Sequence, residues 1–525
     1  MDKTLKSEKE AVSAKELKEI LSSYEVFSNL PDTVYESLAA VAERVFVPAG
    51  QRILSYGEQA EWAFIIESGR LKAVIPLQAI VPGSDRTITE ELGRGECSAL
   101  VAALTREQVK GDLFAVRDSR IIRIRGTDML RCMTAHPELI VAYSLYIVDM
   151  AERTHGKNAP MSRPQAFALL PVHEDPSIRE TADELYEALS TIVGPGSLND
   201  SRRLEEHFGR GVYDAAEFER IRPRLTAWCE SQEAEGNFLL FLCDPTDTSW
   251  TRWCLQQTDR IVVVARAGDT AEIERIDRMF AARMVAGSTV KVDLLLVHDR
   301  DTEMPSGMLD WMKLECRRRH HHVRSGNTAD FQRAARRMSE RAVGVVLGGG
   351  GARGLAHIGV LKALEEAGIP VDVIGGTSMG SVIAAAYARG WSPERLLKMA
   401  GEVFTNSRAV MDLDFPMVSI LGGGKLNRAL QSIFEDIDIA DLWLPYYCIS
   451  SSLSDGHMVV HDRGPLWQKV RASCSLPGIF PPVYTEGQLL VDGGIVNNVP
   501  MDVMGRQCAG GTVIAVDVGG GGARD

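Results

Sequence analysis

Several features that would narrow the class of this 525-residue chain are missing or scarce. No unbroken run of about eighteen apolar residues occurs, so no transmembrane helix is predicted. The start, MDKTLKSEKE, has no apolar signal-peptide core, so none is predicted there. Cysteine is sparse: nine residues, odd in number, scattered and without a C-x-x-C pair. That argues against a disulfide framework and reads as reduced core thiols in a cytosolic protein. Positive charge is in deficit, with a net −13, which argues against a nucleic-acid binder and leaves only a local basic patch. The phosphate loop G-x-x-x-x-G-K-[ST] is absent as well.

What is present is organised around Arg341 to Gly390. The apolar, β-branched run Val343–Leu347 predicts a buried strand. Four glycines, Gly348 to Gly351, follow it. Leu355–Ala367 has helical spacing and stops at Gly368-Ile369-Pro370. Val371–Ile374 predicts a second strand, then come Gly376-Thr377-Ser378-Met379-Gly380 and a small-residue helix over Ser381–Ala388. A serine on a sharp strand-to-helix turn exposes its hydroxyl, and flanking glycines relieve crowding there. The glycine loop brings backbone N–H groups of Gly349, Gly350 and Gly351 toward an anion, which makes them candidates for an oxyanion hole. Gly349-x-Gly351-x-x-Gly354 also fits a dinucleotide fingerprint, with Asp372 about twenty residues on. Asp372, however, lies at the start of the second strand, and a serine elbow has no place in that reading.

GGGGARG, GTSMG and the Asp492-Gly493-Gly494 of LLVDGGIVNNVP resemble the patatin-like phospholipases. The resemblance covers about the last 185 residues. FPMVSIL, DLWLPYYCIS, GPLWQKVRASCSLPGIFPP and NNVPMDVM are most similar to bacterial relatives of neuropathy target esterase, a group that places cyclic-nucleotide-binding domains upstream. The resemblance implies a Ser-Asp dyad in which Ser378 is the nucleophile and Asp492 the base, and acyl-ester hydrolysis of lysophospholipids or phospholipids. Asp492 ends the apolar strand Leu489–Val491, where α/β enzymes collect site residues. His357, His457 and His461 are the histidine candidates for the base and read as structural. Arg353 either attracts a phosphate or pairs with an acid. Leu476–Pro482 either lines an acyl channel or packs in the core, and Phe404–Leu421 is either a membrane-facing lid or a buried loop.

Length alone implies two to four domains. Residues 1–25 read as a charged helical arm. Over 26–155, short strands punctuated by Gly50, Gly57 and Gly69 predict a β-barrel or jelly roll closed by helices. That stretch resembles the cyclic-nucleotide-binding fold, with Gly95, Glu96 and Ser98 in its phosphate cassette. The family's phosphate-binding arginine falls at Asp112, so weak or absent cyclic-nucleotide binding is expected. Arg106 or Lys110 would supply the charge under another register, and Arg117 lies too far along the strand. The barrel then serves as a docking or oligomerisation surface. Residues 156–164 read as a linker. Over 165–340, strands at Ala166–Val172, Phe238–Cys243, Arg260–Ala265 and Val290–Val297 alternate with helices, which predicts a parallel, doubly wound Rossmann-like layer of unassigned role. Asp244–Asp247, at a strand's carboxy-terminal end, reads as a turn with an N-cap, with ligand binding as its functional alternative. Arg317–His322 reads as a solvated basic surface, with contact to anionic headgroups as its functional alternative. Residues 341–525 complete a patatin-like α/β domain.

The expectation is therefore a cytoplasmic, multidomain serine esterase lying peripherally on a membrane surface, with no metal or cofactor and no nucleic-acid partner. Its oligomeric state is unassigned. The rival is a nucleotide-responsive regulator with an inactive hydrolase domain. A transcription factor would need a helix-turn-helix after about residue 150, where the α/β layer stands instead.

Overall fold

The computed structural model describes residues 10–22, 25–76, 87–154, 165–209, 215–284, 291–314, 317–405 and 419–519. The proposed linker 156–164 and most of the Phe404–Leu421 stretch lie outside them. Two compact units emerge. One comprises 1–172, 195–262 and 272–292; the other comprises 173–194, 263–271 and 293–525. The segment read as one α/β layer thus contributes residues to both.

In the first unit the short strands of the amino-terminal region form two sheets. One runs Glu10–Ala11, Glu43–Val47, Ser119–Arg125, Trp62–Ser68, Cys97–Ser98; the other runs Arg52–Leu54, Asp112–Ala115, Leu71–Pro76, Thr87–Leu92. Alternate residues of these strands enclose a core that includes Val45, Val47, Ile66, Leu71 and Ile121. Helices Gly126–Ala135 and Pro137–Thr154 follow, and Met129, Leu139 and Tyr143 join the same core. The predicted arm is a helix over Ala14–Leu21, opened by a capping box in which Ser13 and Glu16 bond reciprocally.

The barrel is clamped to helix Ala215–Ala234 and to the start of strand Arg260–Arg266 by buried charge. Arg117 Nη2 donates to Glu233 Oε2 at 2.8 Å. Asp118 Oδ2 accepts from Arg222 Nη2 at 2.9 Å and from Gln257 Nε2 at 2.7 Å. Arg70 Nε lies 3.3 Å from Asp259 Oδ1, and Asp259 Oδ2 also accepts the backbone N–H groups of Gln165 and Ala166. Burial opposes the charge on Asp259, but Arg70, Arg117 and those N–H groups outweigh it and hold its carboxyl down at about 2.

The α/β layer is a six-stranded sheet in the order Gly196–Asp200, Phe238–Leu242, Ala166–Pro171, Arg260–Arg266, Lys291–His298, Arg317–Arg324. Its first strands pair in parallel, Ala166 with Leu239 and Ser197 with Leu239 from either side. The basic run corrects the sequence reading. Arg317–Arg324 is a strand, and within it His321 and His322 are not solvated but 4 % and 3 % exposed. His321 Nε2 meets the buried Asp293 at 3.2 Å, and His322 bonds to His298 and to the carbonyl of Ala440. Burial pushes both imidazoles down to about 3, so both are neutral and able to sit in the interior.

The carboxy-terminal sheet has seven strands. Six run Val483–Thr485, Gln488–Asp492, Tyr446–Ser452, Val373–Gly376, Val343–Leu347, Thr512–Val516, and Met458–His461 pairs with Tyr446–Ser452. The period of two sorts its side chains into two cores. Val345, Leu347, Ile374, Tyr446 and Cys448 face one, and Val346, Val373, Tyr447 and Ile449 face the other. The central strands are parallel, Val345 opposite Ile374 and Gly375 opposite Tyr447. Burial on both faces explains their unbroken apolar runs.

Candidate active site

Val373–Gly376 feeds a turn whose apex is Ser378, at φ 52° and ψ −126°, and helix Met379–Ala388 starts immediately behind it. A non-glycine residue in that region is strained, and such strain persists where the surroundings over-determine it. Here the Ser378 N–H donates to Ser473 Oγ at 3.0 Å and the Thr377 N–H to the Leu347 carbonyl at 3.0 Å. The two glycines flanking the serine answer to the Leu347 carbonyl. A Cβ on Gly376 would lie 2.5 Å from that oxygen and one on Gly380 2.1 Å from it.

Asp492 ends strand Gln488–Asp492 and is 4 % exposed. Its N–H donates to Ser475 O at 2.9 Å, its carbonyl accepts from Ser451 Oγ at 3.0 Å, and its Oδ1 accepts the Gly494 N–H at 2.8 Å. The Ser378 side chain neighbours the same carboxylate and works to lower its pKa. Burial raises the Asp492 carboxyl above its ordinary range, and the neighbouring Ser378 side chain and the Gly494 N–H offset only part of that rise.

The three glycines expected to form an oxyanion hole divide. The Gly349 N–H is spent on the Asn498 carbonyl at 3.3 Å, while Asn498 Nδ2 donates back to Gly349 O at 3.2 Å. That is a correction to the expected trio, and it arises because Asn498 pins the loop by its middle. The N–H groups of Gly350 and Gly351 have no acceptor among the described residues, and they precede the turn and helix through Glu366. Asn498 and Ser473 were not singled out from sequence; Asn498 lay within the quoted NNVP.

No histidine bonds to Ser378 among the described residues. His357 is fully buried, with Nε2 2.8 Å from the Gly348 carbonyl, and burial keeps it neutral, so it braces the glycine loop. His461 Nε2 lies 2.7 Å from Ser450 Oγ, and burial together with Lys469 lowers it to about 4. His457 is exposed beside the Ser454–Gly456 turn. Arg353 is exposed and has no carboxylate within ion-pair distance among the described residues. Asp372 is fully buried and accepts from Arg336 Nε at 2.9 Å and from the Val343 N–H at 2.9 Å. It ties a helix to the strand start, which removes the ribose-binding role of the dinucleotide reading.

Exposed apolar side chains sit close along the chain to these site residues. Leu476 and Ile479 follow Ser475, Ile495 and Val496 follow the Asp492 turn, and Ile420 joins them through its N–H to the Gly478 carbonyl; all five are at least 36 % exposed. The Leu476–Pro482 stretch is thus largely surface, not core.

The amino-terminal barrel holds a cavity of about 320 Å³ walled by Leu54, Ile75, Leu92, Leu100, Val109 and Leu113, with Ser98, Lys110 and Asp112 among its polar members. Neither Glu96, Arg106 nor Arg117 lines it. Glu96 instead accepts the Gly93 N–H at 2.7 Å, and Tyr146 Oη takes the Cys97 N–H at 2.8 Å. Asp112 accepts the Tyr56 N–H at 2.9 Å. In the α/β layer Asp244 braces Thr248, the actual N-cap of helix Ser249–Gln257, at 2.7 Å.

Comparison with known proteins matches three family models. They are "Cyclic nucleotide-binding domain" at residues 44–136, "Neuropathy Target Esterase family P-loop like domain" at 165–345 and "Patatin-like phospholipase" at 345–504. The mouse patatin-like phospholipase domain-containing protein 7 is 31 % identical over 94 % of this chain and 40 % of its own length. Neuropathy target esterase sws of Drosophila melanogaster is 30 % identical over 90 % of this chain and 36 % of its own. Lysophospholipase nte1 of Aspergillus fumigatus is 30 % identical over 91 % and 36 %. The chain thus spans two fifths or less of the length of these relatives.

Proposed function

Because the chain belongs to the neuropathy target esterase family of patatin-like phospholipases, we propose that it is a serine esterase that cleaves fatty-acyl esters of lysophospholipids or phospholipids. The observation that carries this reading is the juxtaposition of Ser378, on its strained turn, with the buried Asp492 carboxylate, whose pKa the serine side chain lowers.

In the proposed reaction Ser378 Oγ attacks the ester carbonyl carbon as its proton passes to Asp492. Negative charge gathers on the carbonyl oxygen, where the free N–H groups of Gly350 and Gly351 and the amino-terminal end of helix Met379–Ala388 stabilise it. The ester C–O bond breaks, and the proton on Asp492 goes to the departing alkoxide. Water then gives its proton to Asp492 and attacks the acyl-enzyme, which releases the fatty acid and restores Ser378. A carboxylate of ordinary basicity is a weak proton acceptor, and the rise that burial imposes on Asp492 supports its use as the base.

No helix among the described residues is long and apolar enough to cross a membrane. The exposed rim of Ile420, Leu476, Ile479, Ile495 and Val496 supports a peripheral attachment in which this face meets the lipid surface. The name of the fungal relative, a lysophospholipase, supports lysophospholipids as substrates. In the barrel, an apolar cavity with Asp112 in its wall and Glu96 turned to Gly93 supports weak or absent binding of cyclic nucleotides. Ser378→Ala tests the whole reading. A fluorophosphonate probe labels the parent and not the variant, and hydrolysis of lysophosphatidylcholine disappears while the thermal unfolding curve stays in place. Undiminished hydrolysis by the variant refutes the assignment.

A further inference from the structure

A second polar cavity, of about 110 Å³, opens at the far end of the carboxy-terminal sheet from Ser378. Val373 and Tyr446 line it, and they begin the two strands whose other ends approach the serine elbow and Asp492. Its polar wall is Arg319, His320, Arg337, Asp462, Arg463 and Gln507. Three guanidinium groups and one carboxylate therefore line the same small cavity.

Arg337 is the unusual member. It lies in the last turn of helix Thr328–Met338 and is 3 % exposed. Its Nη1 donates to His320 O at 2.7 Å and lies 3.0 Å from His321 Nδ1, both uncharged partners. Its Nε is buried with no hydrogen-bond acceptor. No carboxylate lies within ion-pair distance of it among the described residues. The two nearby acids are committed elsewhere: Asp372 to Arg336 and the Val343 N–H, and Asp293 to His321. The buried arginines of the barrel differ in this respect. Arg70, Arg117 and Arg123 each face Asp259, Glu233 or Glu43. Arg319 adds to the charge, since its Nη1 reaches the Arg337 carbonyl at 2.8 Å. Burial and the neighbouring Arg319 together bring Arg337 down to about 9, the response of a cation held without a counter-ion. A buried charge with no partner is strongly unfavourable, and native proteins resolve it with an ion of opposite sign.

We propose that this cavity is a phosphate-binding site, separate from the catalytic serine, in which Arg337, Arg319 and Arg463 hold a phosphate group. Guanidinium forks match the oxygen spacing of phosphate, and a dianion balances more of this cluster than a carboxylate does. The volume admits a phosphate group. The ligand is therefore free inorganic phosphate, or the phosphate end of an ester whose remainder leaves past the exposed Asp462 and Arg463.

The test uses the full chain in phosphate-free chloride buffer, with ionic strength held constant as inorganic phosphate or glycerol 3-phosphate is added. Calorimetry is expected to give a saturable single-site heat, and the unfolding temperature is expected to climb with ligand concentration, as for any ligand that binds only the folded state. Arg337→Met removes the response to phosphate. Without phosphate its unfolding temperature equals or exceeds that of the parent, because the uncompensated charge is gone. Should that variant fail to fold, Arg463→Gln, at an exposed position, is expected to weaken phosphate affinity about tenfold or more. Tighter binding of inorganic phosphate marks the free ion as the ligand; tighter binding of glycerol 3-phosphate marks an esterified headgroup. Stabilisation by phosphate no greater than by equal chloride, or a response unchanged in both variants, overturns the proposal.

Discussion

Replacing Asp492 by asparagine separates chemistry from architecture at the proposed site. The carboxamide has nearly the same shape, and its oxygen still accepts the Gly494 N–H, now at 2.8 Å. The backbone bonds to Ser475 and Ser451 do not involve the side chain. Folded stability is therefore expected to move by less than about 1 kcal/mol. What disappears is the acceptor for the Ser378 proton. A positioned general base contributes roughly 10²–10⁴-fold, or about 3–5 kcal/mol of barrier. Activity of Asp492→Asn toward lysophosphatidylcholine, followed as released fatty acid, is expected to fall by that factor. Adding Ser378→Ala is expected to cost little more than the larger single loss, because nucleophile and base act as one unit. The pH dependence has a definite sign. The base works as carboxylate, so parent kcat/KM falls as pH drops through the Asp492 pKa. Burial places that inflection above the ordinary aspartate value of about 3.9. The residual activity of Asp492→Asn lacks the inflection. A folded Asp492→Asn within about tenfold of the parent, or a folded His461→Ala as inactive as Asp492→Asn, refutes the Ser-Asp reasoning.

Three further outcomes follow from the geometry. Asn498→Ala deletes the bond that holds the Gly349 carbonyl at 3.2 Å, worth about 1 kcal/mol, so kcat drops roughly five- to tenfold with KM little changed; an equal loss of folded protein would point to a merely structural role. Ile495→Asp combined with Val496→Asp leaves hydrolysis of a water-soluble short-chain ester intact, but lowers turnover of vesicle-borne substrate by about tenfold or more, because each exposed side chain brings roughly 1 kcal/mol of apolar burial to the lipid surface; equal effects on both substrates would sink the rim assignment. Titration calorimetry of the full chain with cyclic AMP or cyclic GMP gives no micromolar binding, and a micromolar isotherm with either would make the barrel a ligand sensor.

Local pattern disclosed the centre of the molecule well. Val343–Leu347 is a strand over the span its β-branched run predicted, because burial on both faces demands an unbroken apolar run. The glycines around Ser378 were legible because their need is steric and local: both sit against one carbonyl, that of Leu347. What stayed hidden depends on partners far along the chain. The histidines of Arg317–His322 looked solvated because nothing nearby in sequence announces Asp293 or the Ala440 carbonyl. Gly349 looked like an oxyanion donor because a glycine run does not reveal that Asn498, 149 residues on, takes its N–H. Arg117 lies too far along the chain for the phosphate cassette, and nothing near it in sequence announces Glu233, its partner in a different layer.

The charged clamp beneath the barrel bears on how this chain can be cut and recombined. Arg70, Arg117 and Asp118 come from barrel turns, and Arg222, Glu233, Gln257 and Asp259 from the layer that follows. A border drawn at residue 155 runs between these two sets. An excised barrel would strip Arg117 of Glu233 and leave Arg70 with Glu91 but without Asp259, and the remnant would keep Asp259 and Glu233 without the barrel arginines that face them. A grafted foreign barrel would inherit the same mismatch unless it brought arginines at the positions of Arg70 and Arg117. The smallest transplantable cassette is therefore the barrel together with the layer through Asp259, and these charges should be inherited as a set: a reversal at one is tolerable only alongside a matching reversal more than a hundred residues away.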